Sequence, residues 1–145
     1  MARSYASAVV PATADEVWAL VRDFGGLPGW HPAISSGELE AGASAAEVGA
    51  VRRLVLGDGG QVRERLVALD DAARSCTYDI TEGPFPVRSY RSTIRVLPIT
   101  ATGAAFVEWS ADYGADAADE ARLDQIFGGA VFGTGLAALA ERFAG

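Results

Sequence analysis

From Ile34 to Tyr113 apolar and polar residues alternate with period two, and on both sides of this stretch the period lengthens to that of a helix. The alternation predicts strands at 34–40, 49–56, 61–69, 75–82, 88–98 and 104–113, after a first strand at 3–10 closed by Pro11. Turn residues separate them: Gly42, Gly57 to Gly60, Asp70-Asp71, Gly83-Pro84 and Gly103. The connections are short, so sequential antiparallel pairing is the expected topology. Thr13 and Glu16 have the spacing of a capping box, and Val17, Leu20, Val21 and Phe24 follow at helical intervals. That helix stops near Gly25-Gly26. Pro28 and Pro32 then bracket Trp30 and His31 in what reads as a turn or single helical turn.

The last helix begins at Asp116, with Asp119 and Glu120 in its first turn, where they favour the positive end of the helix dipole. Leu123, Ile126, Phe127, Ala130 and Val131 give its apolar stripe, and Leu136, Leu139, Ala140 and Phe143 continue it with some drift. Gly128, Gly129, Gly133 and Gly135 each cost about 1 kcal/mol relative to alanine in a helix, so they point either to space kept for a ligand or to close helix-to-sheet contact. The fold class is therefore α+β: a curved antiparallel sheet of about seven strands around a long C-terminal helix, with two short helices after the first strand. At 145 residues the chain is read as one domain, 1–145.

Composition narrows the chemistry. The formal charge of −7 disfavours nucleic acid and anionic membrane surfaces as partners. No run of about 18 apolar residues is present, and residues 1–10 lack the apolar core of a signal peptide, so the expected location is cytoplasmic. With Cys76 and His31 the only cysteine and histidine, cysteine-rich zinc sites and two-histidine metal motifs are ruled out. No glycine-rich phosphate loop joins a strand to a helix, since Gly57 to Gly60 lie between two strands. No metal or cofactor is expected.

If residues 57–60 form the turn, Arg53 faces Glu64, and Val51, Arg53, Val55, Val62, Glu64 and Leu66 share one face. A carboxylate in such surroundings can act as a general base, and a guanidinium can stabilise an enolate. The same pair can equally be a buried structural salt bridge. Tyr78 is in phase with Cys76 and Ile80, Tyr90 with Ser92, Ile94 and Val96, and Trp109 with Val107 and Tyr113. These aromatics can line a pocket or simply fill a core. His31, the only side chain titrating near neutrality, is expected at a cavity mouth beside Trp30, as a catalytic or a structural residue.

The order of elements, with Ala14-Asp15-Glu16-Val17-Trp18, Asp23-Phe24, Gly29-Trp30-His31-Pro32, Arg53-Leu54, Glu64-Arg65-Leu66 and Val107-Glu108-Trp109, resembles the SRPBCC (START-like, helix-grip) superfamily. Within it the chain is most similar to the polyketide cyclase/dehydrase-like branch. The resemblance covers nearly the whole chain and implies the helix-grip (Bet v 1-like) fold. It also implies a cavity of about 300 Å³ or more between sheet and helix for a small hydrophobic, polyketide-like or aromatic molecule. On this reading Glu64, Arg53, His31 and Tyr78 are the catalytic candidates, and Trp30, Tyr90, Trp109, Phe85, Phe127 and Val131 contact substrate. The implied activity is a cofactor-free cyclisation, dehydration or related lyase reaction. The alternative is a carrier or sensor of a hydrophobic ligand. Either a monomer or a homodimer is compatible with the sequence.

Overall fold

The computed structural model describes residues 1–145. Seven strands, β1 (Ala2–Val10), β2 (Ile34–Leu39), β3 (Val51–Leu56), β4 (Gln61–Asp70), β5 (Ser75–Glu82), β6 (Ser89–Pro98) and β7 (Ala105–Gly114), form one antiparallel sheet in the order β1-β7-β6-β5-β4-β3-β2. Strands β2 to β7 pair sequentially as expected. The long connection from β1 carries helix α1 (Ala14–Val21) and a 3-10 helix (Phe24–Gly29) under the sheet, and β1 then closes against β7. The α1 start is set by Thr13, whose Oγ1 accepts from the Glu16 amide at 3.2 Å.

A helix of 28 residues, Ala117–Ala144, packs across the concave face. It is long and apolar enough, by length and composition, to cross a membrane, which corrects the expectation that no such segment exists. Alanine and glycine account for the difference: they raise its apolar content without forming an unbroken run of large side chains. Leu123, Phe127, Phe132, Leu136 and Leu139 from this helix are buried in the core. At its N-terminus Asp116 makes no capping bond to a helix amide; its carboxylate instead accepts from Arg88 at 2.8 Å.

The centre of the helix, Gln125–Gly133, is π-helical. In α geometry residues five apart point about 140° from one another. An i→i+5 ladder winds more loosely and brings them closer to one face. Phe127 and Phe132 thereby both turn inward and are almost wholly buried. Below this segment the buried Tyr113 hydroxyl donates to Ser4 Oγ (2.9 Å), which donates to Asp124 Oδ1 (2.8 Å), tying the helix to β1 and β7.

Of the two readings of the helix glycines, close contact holds where the structure constrains one. A Cβ on Gly135 would lie 2.6 Å from His31 Cδ2 and 2.8 Å from Trp109 Cζ3. Gly129 faces open space.

The hairpin between β3 and β4 differs from the sequence reading by one residue. Val55 pairs with Gln61, the Leu56 amide donates to the Gly60 carbonyl (2.7 Å), and the loop is Gly57-Asp58-Gly59. Gly59 has φ +91°, the left-handed residue that closes a three-residue hairpin loop. A slip of one residue exchanges the two faces of a strand. Arg52 therefore pairs with Glu64, and Arg53 pairs with Arg63. Arg52 and Leu54 face the core; Arg53 points to solvent and bonds Glu38 at 2.7 Å. The β4 set, Val62, Glu64 and Leu66, is buried as expected.

Candidate functional site

Glu64 is 7% exposed and Arg52 5% exposed, a buried ion pair in an otherwise apolar setting. Arg52 Nε donates to Glu64 Oε1 at 2.8 Å, Nη2 makes an ion-pair contact of 2.7 Å with the same oxygen, and Nη1 donates to the Phe24 carbonyl at 3.0 Å. The guanidinium lies between two rings, 4.0 Å from the Phe24 centroid and 4.6 Å from that of Tyr78. These contacts commit Oε1 and leave Oε2 without a protein partner. Burial pushes the Glu64 carboxyl above its ordinary range, against the opposing pull of Arg52. The pairing of β4 with β5 shifts register beside Glu64, between Arg63 and Glu64, an irregularity of the kind that re-aims side chains.

Glu64 borders a void of about 30 Å³, whose lining is otherwise almost wholly apolar or aromatic: Leu27, His31, Ile34, Leu54, Leu56, Val62, Tyr78, Ile80, Phe85, Tyr90, Trp109, Phe127 and Val131. The volume corrects the expected 300 Å³. Aromatic rings occupy the space. Phe85 and Phe127 pack edge to face at 5.1 Å, Tyr90 and Phe127 lie 4.9 Å apart, and Trp109 stacks on Phe132 at 4.9 Å. A second void of about 10 Å³ is bordered by Asp23, Trp30, Arg52 and Cys76 and shares Leu27, Tyr78 and Trp109 with the first.

Two hydroxyls face this region. Tyr78 Oη accepts from Trp109 Nε1 at 3.0 Å, and the same indole N–H reaches Ser92 Oγ at 3.1 Å. The Tyr78 hydroxyl proton thus remains available as a donor, and burial raises the group's pKa so that it stays protonated. Burial likewise holds Tyr90 well above its ordinary value. Cys76 is buried and its thiol is pushed up to about 11, the state of a small core hydrophobe.

The sequence placed Trp30 and His31 at a cavity mouth; the structure buries both, at 8% and 1% exposure. His31 Nε2 lies 2.7 Å from the Val131 carbonyl, and Nδ1 accepts from the Ala33 amide at 3.1 Å. These partners fix the tautomer with the proton on Nε2. Desolvation lowers the His31 pKa, opposed by the Val131 bond, so the ring is neutral at pH 7. Both nitrogens are engaged with backbone, and His31 latches the segment after the 3-10 helix to the π-helical turn.

Of the ten candidates, Glu64, His31, Tyr78, Tyr90, Trp109, Phe85, Phe127 and Val131 converge on the larger void, Trp30 borders the smaller one, and Arg53 lies outside. Sequence reasoning missed Arg52, which alternation places opposite Arg53 and therefore on whichever face Arg53 leaves. It also missed Phe132, whose five-residue spacing from Phe127 fits no α-helical stripe.

Comparison with known proteins agrees with this architecture. The family model for polyketide cyclase / dehydrase and lipid transport matches residues 1–144. A solution structure from Thermobifida fusca is 36% identical, with a TM-score of 0.89 over 99% of this chain and 93% of that one. The protein XoxI from Bacillus cereus is 35% identical, with a TM-score of 0.88 over 99% of this chain and 96% of that one. The di-domain ARO/CYC BexL from the BE-7585A biosynthetic pathway shares the fold at 24% identity, with a TM-score of 0.79 over 97% of this chain and 46% of that one. No protein of curated function matches. A seven-stranded sheet gripping its C-terminal helix and a family match from end to end give one conclusion: the chain belongs to the polyketide cyclase / dehydrase and lipid transport family of helix-grip proteins.

Proposed function

We propose that this protein binds a small hydrophobic, polyketide-like or aromatic molecule between sheet and helix and catalyses a cofactor-free cyclisation or dehydration on it. The observation that carries the proposal is Glu64: a buried carboxylate with Oε1 clamped by Arg52 and Oε2 uncommitted beside an apolar lining. Such a carboxylate removes a proton from a carbon activated by neighbouring carbonyls, and its raised pKa brings it closer to the operating pH. The electron pair released moves onto a carbonyl oxygen, which the Tyr78 hydroxyl stabilises by donation. Dehydration then follows by loss of hydroxide, protonated on departure by the Glu64 acid. Arg52 acts through Glu64 as a positioning residue.

Entry requires the aromatic filling to move. Phe85 is the natural first element, since it is only partly buried and sits between Pro84 and Pro86 in the β5–β6 connection. The 30 Å³ void also supports a second reading, a carrier or sensor that opens around its ligand without chemistry.

Native mass spectrometry of freshly purified protein, with extracted ligands identified, tests the shared element of both readings: an apolar compound is expected. Glu64→Gln separates them. With a substrate identified in this way, turnover falls by about a hundredfold or more while binding persists if Glu64 is the base. Unchanged turnover removes Glu64 from the chemistry, and absence of turnover in the wild type favours the carrier.

A further inference from the structure

Two residues that border the smaller void carry hydrogen-bond donors beyond those they use. Trp30 Nε1 is the one buried side-chain nitrogen or oxygen without a partner. The other two indoles are satisfied, Trp18 by Asp71 at 2.8 Å and Trp109 by Tyr78 and Ser92. Arg52 borders the same void, and only two of its five N–H donors are hydrogen-bonded, one through Nε to Glu64 and one through Nη1 to the Phe24 carbonyl. A buried donor without an acceptor costs about as much as a lost hydrogen bond, so this arrangement favours any acceptor that reaches it.

Size and charge define that acceptor. One water needs roughly 10–15 Å³ of cavity, so about 10 Å³ admits a single oxygen-sized atom and no more. Arg52 is already neutralised by Glu64, and Asp23 is also among the residues bordering the void, so a second negative charge is disfavoured. The void shares three lining residues with the larger one, Leu27, Tyr78 and Trp109.

Building on the proposed binding of a hydrophobic molecule, we infer that the smaller void is a subsite for a neutral carbonyl oxygen at the inner end of that molecule, with Trp30 Nε1 as its donor. The subsite selects aromatic ketones or aldehydes over hydrocarbons of equal shape and over carboxylates. In the unliganded protein it accepts at most one water.

Two matched probes test this: 2-acetylnaphthalene and 2-ethylnaphthalene, which differ in a carbonyl against a methylene. Isothermal titration with the full chain is expected to give about tenfold tighter binding of the ketone. Trp30→Phe keeps an aromatic ring and removes the N–H; it is expected to reduce the ratio of the two affinities to within twofold. Equal affinity of the two probes for the wild type overturns the subsite and leaves the hydrophobic-ligand reading standing. Binding of neither overturns that reading and the subsite with it. Tighter binding of 2-naphthoate than of the ketone overturns the assignment of a neutral acceptor. Should Trp30→Phe fail to fold, the wild type still decides: the Trp30 indole N–H proton resonance moves downfield with the ketone and not with the ethyl compound, and a resonance unmoved by the ketone refutes the contact.

Discussion

Replacing Arg52 by methionine removes the guanidinium and keeps an unbranched apolar stem, leaving Glu64 buried without a counter-charge. Breaking a buried ion pair from one side costs about 3–5 kcal/mol. The Phe24 carbonyl also loses its 3.0 Å donor. In a chain of this size 1 kcal/mol corresponds to roughly 2–4 °C of melting temperature, so Arg52→Met is expected to lower it by about 6–20 °C. Arg53→Met is the control, because Arg53 is exposed and pairs with an exposed Glu38, a contact worth about 0–1 kcal/mol. Urea unfolding followed by tryptophan fluorescence measures both variants. The pH dependence adds a sign. With the guanidinium gone, burial alone raises the folded pKa of Glu64. That carboxyl then contributes most below its unfolded value, and the contribution is lost as pH rises through the folded one. The deficit of Arg52→Met should therefore shrink towards pH 5 and grow towards pH 8. Equal costs for Arg52→Met and Arg53→Met, or a deficit independent of pH, refute the register and the buried pair together.

Gly135→Ala is expected to destabilise by about 1–3 kcal/mol through overpacking on His31 and Trp109, whereas Gly129→Ala, facing open space, should gain up to about 1 kcal/mol; thermal unfolding compares them. The folded pKa of His31 is depressed, so its neutral form supports the fold above the unfolded value near 6.5 and that support is lost as pH falls below it. His31→Gln should flatten the stability profile between about pH 6.5 and pH 5 relative to wild type, as chemical denaturation at each pH would show. Ser4→Ala interrupts the Tyr113–Ser4–Asp124 chain and should cost about 1–3 kcal/mol, with faster amide exchange in the first turns of the C-terminal helix.

The strands were legible because a half-buried antiparallel sheet writes its two faces directly into alternation: 61–69 is observed as Gln61–Asp70 and 88–98 as Ser89–Pro98. Alternation cannot say whether three or four residues of Leu56-Gly57-Asp58-Gly59-Gly60-Gln61 form the loop. Three glycines there tolerate either closure, and the positive φ at Gly59 is decided only when the strands pair. That single ambiguity exchanged Arg52 for Arg53 in the expected site while Glu64, on the other strand, was placed correctly. The π-helical turn was hidden for a different reason. Its signature is a backbone register, and the sequence carries only its trace, the drift of the apolar stripe after Val131. The void volume was also beyond reach: inward-facing aromatics are named by their periodicity, but whether Phe85, Phe127 and Phe132 leave space between them or fill it depends on their packing in three dimensions.

The central claim is that a hydrophobic molecule enters beside Glu64, between the sheet and the π-helical turn. Proton–nitrogen correlation spectra recorded during titration with 2-ethylnaphthalene test it most directly. The account predicts saturable shifts concentrated at the Trp109 indole and at the amides of Tyr78, Phe85, Phe127 and Val131. Shifts confined to the outer face of the sheet, around Arg91, Arg95 and Glu108, or no shifts at all, would contradict it.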